Sequence, residues 1–431
     1  MKPANVFVLG LDEENLATMH DVPRLAEYRF HALLSLDELQ YGEIPVTDLL
    51  AKAQRQLDGF DGHIDAIVGY WDFPVSTMLP ILCRRYGLPS TSLESVLKCE
   101  HKYWSRLEQQ QVIDEHPRFA LVDLDGPAEP PKDLKYPMWL KPVKSFSSEL
   151  AFKVDTDDGF REAIGEIKEG IGRLGEPFQD ILDMAELPPE IADVGAQAVL
   201  AEEALSGRQA AIEGYGINGR VEIYGALDSL NYPGTSSFLR HQYPSQLPAA
   251  TVEHMAEVSE RVISRIGLEF VAFSIEFFVD PDSNDVWLLE INPRHSQSHA
   301  EIFDHVDGAP NHHCMLRLAL GREPEMPHRE GEYAIAAKYN YRRFSGDAVI
   351  RAVPSEDELA RIEADIPGVA IHPRAVAWGR LSELIGQDSY SYHLADLIVA
   401  GSDVAEMEDK FRRATEQLTY EFEAPEEPEG G

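Results

Sequence analysis

Residues 273–295 of the 431-residue chain read FSIEFFVDPDSNDVWLLEINPRH, and they concentrate the side chains best suited to chemistry. The turn sequence DPDSND centres on Ser283, and Glu276 and Glu290 each lie seven residues from that centre. In a regular hairpin the two carboxylates face each other from neighbouring strands, with Cβ atoms about 5 Å apart. Like charges flanked by Phe, Leu and Ile repel strongly unless something positive lies between them. Alternation along the second strand sends Glu290, Asn292 and Arg294 to one face and Leu289 and Ile291 toward a core. Two carboxylates and an amide oxygen converging on one point are hard ligands for Mg2+, with Mn2+ as the alternative. Arg294 adds a planar fork for a phosphate. Two acids exposed on a solvated hairpin is the competing reading, and the apolar flanks argue against it.

Several elements must position this hairpin. NVFVLG at 5–10 and IDAIVG at 64–69 are short apolar runs separated by helix-like periodicity, which indicates a parallel β-α-β unit; LPS at 88–90 closes a third β-α step. SLESVLKCEHKYWSRLEQQQV reads as one helix capped by Ser92, and HPRFALVDLDGPAEPPKDLKYP as a connector holding one strand. Strands at MWLKPV and LAFKV precede a helix over 156–173 and an acidic, Pro-containing connection, EPFQDILDMAELPPE. AVLAEEAL, AAIEGYGING and VEIYGALDSL are strands, the last two joined at Asn218-Gly219. A helix over 249–266 leads into the hairpin. Past 328 come strands at EYAIAAKYNY and GDAVIRAV, a helix from Ser355, a final helix from Asp403 to about Glu421, and a polar acidic tail.

Composition bounds the function. With 75 Asp and Glu against 38 Lys and Arg, the net charge is −37, which would repel nucleic acid. Hydrophobic residues make up 44%, enough for a real core, so the acids coat a folded surface, as a salt-rich cytoplasm tolerates. No apolar run approaches the roughly 18 to 20 residues of a membrane span, and the N-terminus reads as a first strand rather than a secretion signal. Three cysteines without CxxC spacing argue against a disulfide scaffold or sulfur-bound zinc. A cytoplasmic protein is the expectation.

Glu276, followed after a short hairpin by Leu-Leu-Glu290-Ile291-Asn292-Pro293-Arg294, resembles the metal-binding signature of the ATP-grasp superfamily, which includes biotin carboxylase and the L-amino-acid ligases. Other pieces follow in the family's order. Lys102 resembles the first ATP-contacting Lys, and Lys141 the Lys that reaches the phosphates. Ala198 to Gly207 looks like the hinge strand; one of Glu202 and Glu203 faces the adenine there, and Leu205 lies in the same stretch. The resemblance implies an α/β and α+β fold: an N-terminal β-α-β domain (1–99), an ATP-grasp domain (100–328) of two nucleotide-clamping subdomains (100–195 and 196–328), a C-terminal α/β lid (329–422) and an acidic tail (423–431). It implies ATP and Mg2+ as cofactors, small-molecule carboxylate and amine substrates, and a homodimer.

Two positions depart from the family's pattern. The loop after Lys141, Pro142 to Glu149, has no Gly, so Ser145, Ser147, Ser148 and the charge of Lys144 must serve where backbone amides usually do. The ribose position falls on Gln209 instead of an acid, with Glu213 as the fallback. After the hairpin, His295, Ser296, Ser298 and His299 are placed by the resemblance in the acceptor pocket, and Arg240 near the transferred phosphate. A zinc reading of this His-rich stretch is disfavoured, since His312 and His313 are adjacent and lack ligand spacing. The implied activity is carboxylate–amine ligation through an acyl phosphate. The rivals are ATP-dependent carboxylation through carboxyphosphate and a nucleotide-binding protein that has lost catalysis.

Overall fold

A computed structural model of the chain describes residues 2–124, 126–145, 149–384 and 391–423. Ser147, Ser148 and the tail from residue 424 lie outside the described residues. The chain forms two compact units, one of Met1–Gly225, Leu247–Gln297 and Asn311–Met326, the other of Ala226–Gln246, Ser298–Pro310 and Pro327–Gly431.

The first unit begins with a three-stranded parallel sheet in the order Tyr28–Leu33, Ala4–Leu9, Ala66–Val68. Its second strand, YRFHAL, hides from a sequence reading because an edge strand keeps polar residues such as Arg29 and His31, whereas 88–90 forms no strand. The helix beginning after Ser92 is two helices, Leu93–Glu100 and Lys102–Gln109. His101 breaks it, with backbone angles outside the helical region and a ring Nδ1 that accepts from Trp104 N–H at 3.2 Å. Its Nε2 meets the Gly195 carbonyl at 3.1 Å, so the neutral tautomer satisfies both bonds, and burial lowers its pKa to about 4.

A four-stranded antiparallel sheet follows, in the order Phe119–Val122, Val199–Glu203, Met138–Pro142, Phe152–Val154. The helix Asp157–Gly170 covers it with Phe160, Ala163, Ile164 and Ile167, an i, i+3, i+4, i+7 stripe. The expected connection at 176–190 is instead partly a helix, Gly172–Leu182. Leu174, Phe178, Ile181 and Leu182 carry its buried stripe, and Pro177 stands in the middle of the helix. The third layer holds strands Arg208–Ile217, Val271–Val279 and Val286–Asn292, with residues 220–225 of the strand Arg220–Asn231. Helix Ala249–Ile266 packs on strand Arg208–Ile217. Asn218 and Gly219, at φ 53° and 73°, form the tight turn between two of these strands.

The second unit is antiparallel: residues 226–231, then Phe238–Tyr243, Ile335–Arg343, Tyr392–Gly401 and Val369–Pro373 in spatial order. Helices Glu356–Asp365 and Val404–Thr415 supply Ile362, Met407 and Ala414 to its core. The last helix stops at Thr415 instead of near Glu421, because Glu421–Glu423 pairs with Val349–Ala352. No described helix is long and apolar enough to cross a membrane.

Candidate active site

The hairpin register pairs Glu276 with Glu290, Ile275 with Ile291 and Ser274 with Asn292. It does so through a bulge. Nearer the turn Phe277 pairs with Leu288 and Phe278 with Trp287, so Leu289 is the extra residue. Leu288 and Ile291 point into the core, at 0% and 2% exposure, and Leu289, expected there, is half-buried instead. On the neighbouring strand Ala211 opposes Glu276 and Glu213 opposes Ser274. One sheet face therefore carries Gln209, Glu213, Glu276, Glu290 and Asn292 in adjoining rows.

The electrostatics around the two carboxylates suit a cation. Burial first, and then Glu290, push Glu276 up to about 7. Desolvation works to raise Glu290 as well, but Lys102, followed by Lys141 and Lys144, outweighs it and holds that carboxyl below its ordinary range. Two carboxylates in adjoining positions with an amide oxygen beside them are a donor set suited to Mg2+.

Lys102 reaches Glu290 Oε1 at 2.6 Å and the Ser145 carbonyl at 2.9 Å. Lys141 lies across the four-stranded sheet's ladder and pairs with Glu202 at 2.5 Å. Of the two hinge acids, Glu202 is the inward one, 3% exposed, while Glu203 turns to solvent beside Arg118. Burial opposes ionisation of Glu202, yet Arg106 and Lys141 lower its pKa to about 2. Leu205 follows directly on the last ladder bond, Ala204 N–H to the Pro137 carbonyl.

Sequence reasoning missed three groups. Arg106, 3% exposed, donates to Glu202 at 2.5 Å, to Gln109 at 2.6 Å and to the Leu289 and Leu288 carbonyls at 2.6 and 3.3 Å. It clamps the bulge that aims Glu290, and its position four residues after Lys102, one helical turn on, was the available signal. Asp72, beyond the end of Ala66–Val68, takes Arg294 Nε and NH2 at 2.7 and 2.6 Å. Glu100 pairs with Lys144.

The other expected residues have these surroundings. Lys144 is 3% exposed, bound to Glu100 and packed over the rings of Phe73 and Phe178, so it acts on Glu290 through its field and not as a loop contact. Glu213 is fully buried, its Oε2 taking the Tyr224 hydroxyl at 2.7 Å and the Asn311 amide at 3.0 Å. The four expected residues after Arg294 are divided between the two units. His295 is 1% exposed and bonds His312 at 2.9 Å, and the Ser296 carbonyl accepts from Asn311 at 2.7 Å, both in the first unit. Ser298 and His299 belong to the second, where the His299 ring lies 5.3 Å from that of His241. Arg240, also in the second unit, is no surface residue: at 6% exposure it bonds Gln242, the Tyr339 hydroxyl and Glu408.

Residues 134–300 match the family model of the ATP-grasp domain, a span that includes Lys141, Glu202 and the whole hairpin. The chain carries an ATP-grasp domain. Solved structures extend the likeness to the whole chain. The L-amino acid ligase of Bacillus licheniformis is 14% identical, with a TM-score of 0.70 over 98% of this chain and 100% of that one. The phosphoribosylglycinamide synthetase of Anaerococcus prevotii is 12% identical, with a TM-score of 0.66 over 98% and 100%. The biotin carboxylase domain of Hydrogenobacter thermophilus 2-oxoglutarate carboxylase, solved as a dimer with MgADP and bicarbonate, is 15% identical, with a TM-score of 0.67 over 98% and 91%. At such identities these likenesses establish the fold. No curated protein sequence matches the chain.

Proposed function

We propose that this ATP-grasp chain is a ligase that activates a carboxylate as an acyl phosphate at the expense of ATP and joins it to an amine, releasing ADP and phosphate. The observation that carries the reading is the row of Glu276, Glu290 and Asn292 on one sheet face, with the Lys102 ammonium on Glu290. Glu276, Glu290 and Asn292 would hold Mg2+, or Mn2+ in its place, which when bound neutralises charge on the nucleotide phosphates.

The chain's own groups do the rest by position and charge. Glu202 holds Lys141 in place for the phosphates, and Arg106 and Lys141 lower its pKa to about 2, which keeps it ionised near neutral pH. Asp72 orients the Arg294 fork, leaving it aimed at an oxyanion as the phosphoryl group moves from ATP to the carboxylate oxygen. The amine nitrogen then attacks the acyl carbon and phosphate leaves. Gln209 and Leu205 are assigned to the nucleoside. Arg240, Ser298 and His299 are assigned to the reacting substrates on the family resemblance alone.

ADP and phosphate release, measured over a panel of amino acids and small carboxylic acids with and without bicarbonate, tests the reading. Amine-dependent turnover is the expected result. Turnover that needs bicarbonate and no amine would replace the ligase with a carboxylase, and ATP binding without turnover over the whole panel would leave a nucleotide-binding protein.

A further inference from the structure

The break between helices Leu93–Glu100 and Lys102–Gln109 is bound to the first residues of the loop that follows Lys141, all within the first unit. The Glu100 carboxylate pairs with the Lys144 ammonium, the Lys102 backbone N–H donates to the Val143 carbonyl at 2.8 Å, and the Lys102 ammonium donates to the Ser145 carbonyl at 2.9 Å. Val143, Lys144 and Ser145 are buried, at 0%, 3% and 5% exposure. Glycine-rich loops offer backbone amides to phosphates. This one gives two carbonyls to a lysine instead, a task that needs no glycine.

Glu100 stands where a carboxylate is disfavoured. It is the last residue of its helix, the end at which the helix dipole opposes an acid, and it is only 8% exposed. A buried carboxylate there needs a cation, and Lys144 supplies it. The Lys144 ammonium also lies 5.1 Å from the ring centre of Phe73 and 5.4 Å from that of Phe178, so aromatic walls enclose the pair. Burial works against the charges of Lys102 and Arg294; Glu290 for the one and Asp72 for the other, each followed by Glu100, outweigh it.

The mechanical consequence falls on Lys102. Its ammonium has three N–H groups, and the Glu290 carboxylate and the Ser145 carbonyl take two of them, which fixes the direction of the third. Without the Ser145 carbonyl the ammonium would swing about Glu290 alone. We infer that Glu100 and Lys144 are positioning residues for nucleotide binding: their buried ion pair holds Val143, Lys144 and Ser145 against the helix break and so aims the Lys102 ammonium at a nucleotide phosphate. The inference rests on the nucleotide-binding part of the ligase reading and adds to it a pair that itself meets no phosphate.

Position and charge predict opposite results for one substitution. Glu100→Gln removes a negative charge beside the site, so a role through the field alone would tighten the binding of an anionic nucleotide. Loss of the anchor should instead weaken ATP with Mg2+ about tenfold in isothermal titration, and Lys144→Met should weaken it as much. The double variant, Glu100→Gln with Lys144→Met, restores the local charge balance and replaces the ion pair by neutral groups of similar size, a change that buried pairs tolerate. It should bind ATP as weakly as either single variant, and it decides alone if a single variant fails to fold. Adenosine, which carries no phosphate, should bind all three as it binds the unaltered protein in saturation-transfer NMR, which certifies the fold and assigns the loss to the phosphates. Tighter ATP binding by Glu100→Gln, ATP affinity of the double variant within about twofold of the unaltered protein, or adenosine weakened as much as ATP would each overturn the inference. The expected affinity pattern in a chain without turnover sinks the ligase reading and leaves the pair; amine-dependent turnover with unchanged ATP affinity in the folded variants sinks the pair and leaves the ligase.

Discussion

A buried carboxylate in this site behaves according to what faces it, and two glutamates illustrate both directions. Glu290 is held below the ordinary carboxylate range by Lys102, so in the proposed metal pair it is the half that needs no deprotonation. Glu290→Gln keeps the shape and removes the charge, so ADP release should drop to background while the thermal midpoint stays within a few degrees; turnover near the unaltered rate would remove the metal assignment. Glu202 lies at the other extreme, with a folded pKa near 2 against an ordinary 4.5. A depressed carboxylate pKa contributes stability that is fully present above the unfolded value and lost as pH falls through the folded one, here about 3 kcal/mol between pH 4.5 and 2. In urea titrations, the advantage of the unaltered protein over Glu202→Gln should therefore be widest above pH 5 and shrink toward pH 2. A gap independent of pH would mean that Arg106 and Lys141 do not hold that charge.

Among the elements, the hairpin shows how a correct pairing can rest on an incomplete account. Counting from Ser283 pairs Glu276 with Glu290, but the tight part of the ladder is centred half a residue earlier, and the bulge at Leu289 makes up the difference. Without that extra residue Leu289 would occupy the position opposite Glu276, because one step of register reverses every side chain. Arg106 holds the bulge by its carbonyls and ties it to the hinge acid Glu202. Arg106→Met should destabilise the protein by about 3 kcal/mol, at the low end for a broken buried ion pair because Lys141 still meets Glu202. Chemical denaturation measures the loss, and a cost under about 1 kcal/mol would make the clamp incidental. The break at His101 belongs to the same scale: a polar amphipathic run reads as one helix, and a ring cap reached from Trp104 splits it.

At the scale of the whole molecule, the net charge of −37 sets the conditions under which the site must work. Around the candidate site Lys102, Lys141, Lys144, Arg106 and Arg294 are matched by Glu290, Glu202, Glu100 and Asp72, with Glu276 beside them, so the cluster is close to neutral. An anionic nucleotide then depends on a divalent cation and on salt screening to approach. Raising KCl from about 0.05 to 1 M, which shortens the screening length from over 10 Å to about 3 Å, should raise the thermal midpoint by a few degrees and preserve turnover. A steep fall of both would count against a surface adapted to salt.

Local chemistry was legible without a structure wherever a residue's role is set by its near neighbours in the chain. The acids of the hairpin, the strand-end Lys141, the helix over 249–266 and the Asn218-Gly219 turn all follow from alternation, periodicity and turn preference, which are properties of a few consecutive residues. The Gly172–Leu182 helix was legible in its stripe but hidden by its proline, and the edge strand Tyr28–Leu33 had too few apolar residues to announce itself. Partners distant in the chain were beyond such reasoning. Asp72 meets Arg294 across 222 positions and Arg106 meets Leu289 across 183, and His295 is buried beside His312. Sequence pattern specifies which side chains share a face, because that depends on backbone period alone. Which charge meets which, and which polar group is left buried without a partner, depends on how the chain closes on itself, and only the tertiary structure decides it.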